Sequence, residues 1–329
     1  MKKPRVLSIG DLTTDAFIKL HDAEVHNSMR EDEKLLCMTF GDKVPYESVK
    51  VVPAVGNSAN ASVSLARLGL DSYLYTNIGR DRDGEDALKI LKENNVSTKY
   101  VVSHKKIPTN YHYVLSFRGE RTILIKHNDY PYKMPKIKAP DWVYLSSLGE
   151  NSSPFHKTIE KYLKKNPKVK LAFQPGTFQM KMGAERLKGI YENTEIFFSN
   201  KEEAQRILGK RVDDVKKLLN GIRGLGPEIA VITDGREGAY VADGKKYLHM
   251  PIYPDPKPPL ERTGAGDSFS SAFTAALASG LDIEDALIWG PINSMSVVQY
   301  IGARDGLLSR KEIEKYARKA PKSYKPKEF

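Results

Sequence analysis

A single cysteine, Cys37, in 329 residues rules out disulfides within the chain. A reducing cytoplasm is the compartment such usage leads one to expect. Clustered cysteines and paired histidines at helical spacing are missing too, which argues against a structural zinc site. No apolar run approaches the length of a membrane span, so no membrane partner is expected. Met1-Lys2-Lys3-Pro4-Arg5 leads into a short apolar segment and then Asp11, which is not the pattern of a signal peptide. No Gly-x-x-x-x-Gly-Lys-Ser/Thr occurs, which excludes a Walker-type phosphate loop. No dinucleotide fingerprint follows the first apolar run, so a Rossmann dehydrogenase fits poorly. Neither an internal repeat nor a low-complexity linker divides the chain, and a single domain over 1–329 is expected.

Hydrophobic content of 40% and charged content of 28% belong to an ordinary globular enzyme. The net charge of +11 raises a nucleic-acid partner, but the lysines are spread along the chain and mixed with acids. The densest basic stretch, Arg318 to Lys327 with two prolines, reads as a solvated end. No specific nucleic-acid binding is expected.

The most informative stretch is Glu261-Arg262-Thr263-Gly264-Ala265-Gly266-Asp267. Two glycines around an alanine let the backbone bend tightly and approach a ligand. Apolar residues then fall at Phe269, Ala272, Phe273, Ala276 and Leu277, which is helical spacing. A glycine turn opening a helix aims backbone N–H groups at an anion, with the positive dipole end behind them. Asp267 would repel that anion, so its carboxylate is either a proton acceptor or simply a helix cap.

Val6-Leu7-Ser8-Ile9-Gly10 reads as a buried first strand, and Asp15 just beyond it is placed to bind a hydroxyl-rich substrate or to cap a turn. Leu35 to Phe40 and Tyr46 to Val52 are extended runs around Gly41-Asp42. Tyr111 to Phe117, the Arg118-Gly119-Glu120 turn and Thr122 to Ile125 read as a hairpin. Together, segments 16–53 and 104–127 are expected to form a small sheet lid over a site. Between them, Val55 to Gly69 reads as a small-residue helix, with Gly56, Asn57 and Asn60 at its start either meeting sugar hydroxyls or capping it. After Pro140, short apolar runs at Trp142 to Leu145, Val169 to Phe173, Glu195 to Phe198 and Glu228 to Thr233 alternate with helical segments. That rhythm argues for a parallel sheet covered on both faces. Asn200 at a strand end and Glu203 one turn on suit a hydrated Mg2+, or a capping box with the same spacing. Thr233, Gly235 and Gly238 lie in a strand–turn–strand segment that is either a phosphate cradle or a plain hairpin, and Asn293 falls in a buried helix.

Taken together, these pieces resemble the ribokinase-like (phosphofructokinase-B) family of sugar and nucleoside kinases. Gly264-Ala265-Gly266-Asp267 carries the resemblance most specifically, supported by Gly56-Asn57-Ser58-Ala59-Asn60 and the Asn200…Glu203 pair. The resemblance implies a three-layer αβα fold with a mainly parallel central sheet and a small β-sheet lid. It implies ATP as co-substrate and Mg2+ held through water by Asn200 and Glu203. Asp267 would be the base, and the N–H groups of Ala265, Gly266 and Asp267 the anion hole. Thr233, Gly235 and Gly238 would lie on the nucleotide phosphates and Asn293 near the adenine. Asp15, Gly56, Asn57 and Asn60 would hold the acceptor's hydroxyls. Val55 replaces the first of the family's two glycines. Glu261-Arg262 stands where Asp-Thr is usual, which leaves a monovalent-cation requirement doubtful and puts a fixed positive charge beside the anion hole. The expected acceptor is a sugar or sugar-like alcohol. The alternatives are a nucleoside, with Tyr111, Tyr113 and Phe117 stacking on its base, or a non-catalytic ligand-binding role. Exposed lid strands invite pairing between two chains into a homodimer.

Overall fold

The computed structural model describes residues 3–28 and 34–329. Residues 29–33 of the first expected lid segment, with Met1 and Lys2, lie outside the described residues. Val6-Leu7-Ser8-Ile9 has no solvent face to offer, and its strand Arg5–Ile9 is correspondingly buried in the middle of a ten-stranded sheet. Across that sheet the strands run Lys327–Glu328, Tyr247–Met250, Ala239–Ala242, Ile229–Thr233, Ile196–Asn200, Lys170–Phe173, Trp142–Leu145, Arg5–Ile9, Asp71–Gly79 and Ser97–His104. Every neighbour pair from Ile229–Thr233 to Ser97–His104 is parallel. Beyond Ile229–Thr233 the pairs are antiparallel.

Because successive side chains alternate faces, each strand feeds two cores. Val6, Tyr144, Ala172, Phe198 and Val231 pack with helices Ala265–Ala278, Ile283–Val297 and Arg310–Lys319. Leu7, Val143, Leu171, Phe197 and Ala230 pack on the opposite side with Ser153–Lys165, Lys201–Leu208 and Val215–Arg223. The result is a three-layer αβα fold. Strand order reverses between Arg5–Ile9 and Trp142–Leu145, and such a switch point opens a crevice at the carboxyl ends of the strands.

A separate four-stranded sheet, in the order Tyr46–Val55, Thr13–Leu20, Asn110–Phe117, Glu120–Leu124, bounds that crevice. The extended runs around Gly41-Asp42 do not pair with each other. Lys34–Cys37 pairs with Glu24–Asn27, whereas Tyr46–Val55 pairs with Thr13–Leu20. Periodicity marks a strand but not its partner. The small sheet starts at Thr13, ahead of 16, and His104 closes a strand of the main sheet rather than opening the second segment.

The tail is solvated along most of its length, as expected, but it is docked rather than loose. Lys327–Glu328 adds the edge strand beside Tyr247–Met250, and Phe329 packs against Tyr240 and Tyr247. Tyr324 anchors it, 6% exposed, with its hydroxyl donating to the Ile288 carbonyl at 2.7 Å. Charge density hid two aromatic anchors. Tyr324→Ala should therefore destabilise the fold by about 3–5 kcal/mol, the usual cost of deleting a buried aromatic ring. An unchanged thermal midpoint in that variant would show that the tail is not docked.

Candidate active site

Gly264 caps helix Ala265–Ala278 with φ 81° and ψ 0°, a left-handed conformation that glycine adopts freely. A Cβ there would also collide with Ala303. The turn spends one expected donor internally, because the Ala265 N–H points to the Arg262 carbonyl at 3.3 Å. The N–H groups of Gly266 and Asp267 make no bond to the described protein and face the crevice at the positive helix end. Glu261 ties the turn down. It accepts from the Thr263 N–H at 2.7 Å, from the Thr263 hydroxyl and from Arg121 of the small sheet at 2.7 Å.

Asp267 is 7% exposed, yet it lines the crevice. Its Oδ1 accepts from Asn57 Nδ2 at 2.7 Å and from Gln174 Nε2 at 3.0 Å. Oδ2 accepts from Asn60 Nδ2 at 2.7 Å. Asn57 and Asn60 open helix Asn57–Arg67, where a three-residue spacing places both amides on one face. Gly56, with φ 105°, starts that helix against the Asp11 carbonyl, where no Cβ would fit. The resemblance assigned both asparagines to the acceptor; each spends one amide N–H on Asp267 and keeps the other, and both line the larger cavity. Sequence reasoning missed Gln174. The usable signal is its position directly after strand Lys170–Phe173, at the same sheet edge as Asn200 and Thr233. Behind it, Gln174 Oε1 accepts from the buried Tyr144 hydroxyl, which is also 2.6 Å from Ser270 Oγ. Burial and the nearby Asp267 charge push the Tyr144 hydroxyl well above its ordinary pKa, so it stays a donor.

On one side of this turn lies a cavity of about 470 Å³. Asp15, Gly56, His112, His127 and Arg121 line it, with Ile123, Ile125, Phe178 and Met180 as an apolar wall. Burial raises the Asp15 carboxyl to about 6, with the Glu261 charge adding to the rise and the Thr13 hydroxyl, donating at 2.7 Å, holding it down. Tyr113, by contrast, pairs with Ala16 on one side and Leu124 on the other, on the outer face of the small sheet. Tyr111 and Phe117 share that parity, so this aromatic patch faces away from the cavity and Phe178 is the ring inside it.

On the other side lies a cleft of about 190 Å³, lined by Thr233, Gly235, Gly238 and Ala265, with Ile252, Met295 and Val298 as apolar walls. Thr233, Arg262 and Gly266 border both spaces. Asn293 lies outside the cleft and is fully buried. Its Nδ2 donates to the Ser268 carbonyl and its Oδ1 accepts from Leu308 N–H, while its neighbour Ser294 lines the cleft. A residue's helix was readable; its face was not. Asn200 and Glu203 form a reciprocal capping box, at 2.7 and 2.9 Å, and also line the larger cavity. Burial raises the Glu203 pKa, and the Asp267 charge adds to it. A Glu203 carboxyl whose charge Asp267 disfavours fits a divalent cation held nearby, although no group of three or more acidic, His or Cys residues is present among the described residues to grip it bare.

A glycine-turn helix end joining two crevices at the carboxyl edge of a parallel sheet is an arrangement suited to a phosphate. The chain matches the description "pfkB family carbohydrate kinase" over residues 30–310, and it belongs to that family of kinases. It is 24% identical over 319 residues to an ATP-dependent 6-phosphofructokinase of Thermoanaerobacterium thermosaccharolyticum, covering 92% of this chain and 90% of that one. It is 25% identical over 331 residues to adenosine kinase 1 of Arabidopsis thaliana, covering 90% and 92%. The fold matches Arabidopsis thaliana ribokinase, solved with ribose and ATP, with a TM-score of 0.80 at 20% identity, covering 97% and 99%.

A charged Asp15 accepts hydrogen bonds more strongly than a neutral one. Acceptor kcat/KM should therefore climb as pH rises through about 6, where Asp15 loses its proton, and level off above. Asp15→Asn should flatten that limb. Identical profiles for the two proteins would remove Asp15 from acceptor binding.

Proposed function

We propose that this chain transfers the γ-phosphoryl group of ATP to a hydroxyl of a sugar or sugar-like acceptor. The observation that carries the reading is the meeting of the two spaces at Gly266, next to Asp267 on the larger cavity's side. The larger cavity takes the acceptor, the cleft beside Thr233, Gly235 and Gly238 takes the nucleotide, and the reacting groups face each other at the helix end. Each carboxylate oxygen carries two lone pairs. Asp267 Oδ1 already accepts two amide donors and Oδ2 only one, which makes Oδ2 the atom that takes the acceptor's proton. The acceptor oxygen then bonds to the γ-phosphorus, the bond from that phosphorus to the bridging oxygen breaks, and ADP leaves. The Gly266 and Asp267 N–H groups stabilise charge on the transferred group without reorganising. Mg2+, held through water by Asn200 and Glu203, would neutralise phosphate charge. Arg121 already matches the Glu261 carboxylate, so no potassium requirement is proposed.

The apolar wall of Ile123, Ile125, Phe178 and Met180 favours a second reading, a nucleoside whose base lies against Phe178. We read the chain as one domain with the small sheet as its lid, working in the cytoplasm. No helix among the described residues is long and apolar enough to cross a membrane. With Mg-ATP, wild type should phosphorylate a member of a sugar and nucleoside panel, and Asp267→Asn should lose at least about 100-fold in kcat. Full turnover by Asp267→Asn would remove it as the base.

The outer face of the lid carries a row in register, Val51, Ala16, Tyr113 and Leu124, and three of its members are about half exposed: Val51 51%, Tyr113 48% and Leu124 53%. A solvated sheet face would be polar here, so a second copy of the lid is the partner we propose. Light scattering should give twice the 36.9 kDa chain mass, reduced to one by Val51→Glu. A monomeric wild type would overturn the pairing.

A further inference from the structure

Two imidazoles in the acceptor cavity have carboxylates behind them, and the chemistry described so far uses neither ring. His127 Nδ1 lies 2.6 Å from Asp11 Oδ2. Asp11 is 2% exposed and also accepts from the Tyr132 hydroxyl at 2.8 Å, while Tyr132 is stacked on Phe155. A carboxylate only accepts, so the Nδ1 hydrogen belongs to His127 and Nε2 is left for the cavity. Phe178 meets the ring edge-on at 5.3 Å and holds its plane. His112 sits 5.3 Å away, ring centre to ring centre. Its Nδ1 is 3.5 Å from Asp15 Oδ1, and its Nε2 is buried with no partner in a residue only 9% exposed. Burial, with the neighbouring His127 second, lowers the His112 pKa to about 4, so the ring is neutral near pH 7. A buried ring nitrogen without a partner costs free energy until a ligand supplies one.

We propose that His112 and His127 determine acceptor specificity, His127 by presenting Nε2 to a hydroxyl of an unphosphorylated acceptor and His112 by shifting its covered, unpartnered Nε2 onto a neighbouring hydroxyl as the acceptor binds, with Asp11 acting as the positioning residue for His127. The inference rests on the kinase reading. The same geometry rejects a phosphate at this position. A dianion would face the Asp11 and Asp15 carboxylates behind the rings; of the two guanidinium groups lining the cavity, Arg121 is already paired with Glu261 and Arg262 belongs to the turn at the helix end, where the cleft begins. Shared vicinal hydroxyls make a free sugar and the ribose of a nucleoside the two sources of such a ligand.

The test uses the full chain with Mg-ATP and D-ribose, adenosine, cytidine and D-fructose 6-phosphate, each at varied concentration. Wild type should phosphorylate at least one of the first three and disfavour fructose 6-phosphate, and ribose against the nucleosides separates the two sources. His112→Asn and His127→Asn each keep an amide near the Nδ1 position and delete Nε2. Each should raise the acceptor KM by about tenfold, the scale of one lost hydrogen bond, and leave the ATP KM within about twofold. Asp11→Asn should raise the acceptor KM in the same direction. Should an Asn variant fail to fold by its thermal transition, the wild-type ranking decides alone. An acceptor KM unchanged in both folded variants, or a preference for fructose 6-phosphate, overturns the inference and leaves the kinase reading standing. A wild type that phosphorylates nothing in the panel removes both.

Discussion

The site depends on a carboxylate that three amides hold against a helix end. Asp267 lies in the first turn of its helix, where the dipole favours negative charge, and Asn57, Asn60 and Gln174 supply the donors that fix its orientation. Those donors come from two places in the chain: the start of helix Asn57–Arg67 and the end of strand Lys170–Phe173. A carboxylate buried this far would be costly without them. The same contacts leave one oxygen with spare accepting capacity, so stability and chemistry use a single arrangement.

Close approach makes the arrangement reachable. The helix that carries Asp267 buries Ser268, Ser270, Ser271 and Thr274, whose hydroxyls bond back to carbonyls of their own helix, such as Gly266 and Ser270. Small, self-satisfied side chains let it lie against the equally small-sided helix Asn57–Arg67. Bulkier residues on either helix would move the amides out of reach of the carboxylate. The small sheet enters through one further contact: Arg121 on Glu261 connects it to the turn that opens helix Ala265–Ala278.

The resemblance and the local patterns agreed on elements more than on faces. The glycine turn, the strand ends and the small-residue helix were readable because each depends on nearby backbone chemistry. The lid strands were readable as extended, but not their pairing, since Lys34–Cys37 and Tyr46–Val55 chose different partners. Asn293 and the Tyr111–Phe117 aromatics were placed on the correct elements and assigned the wrong side, because a helix or strand turns its faces according to what packs against it. Charge in the C-terminal tail was readable as solvent exposure, but not the docking that Tyr324 and Phe329 supply.

By itself, the order of residues determined that this chain would build a parallel αβα sheet with an anion-seeking helix end at Gly264 to Asp267. Period, glycine placement and capping chemistry act over a few residues, and no distant contact is needed to express them. Only the tertiary structure decided that Asn57, Asn60 and Gln174 converge on Asp267, and that Asp11 and Asp15 stand behind His127 and His112. Those partners are brought together by strand order and packing across the crevice. Hydrogen bonds reach about 3 Å, and nothing in linear spacing records which distant atoms fold to that distance.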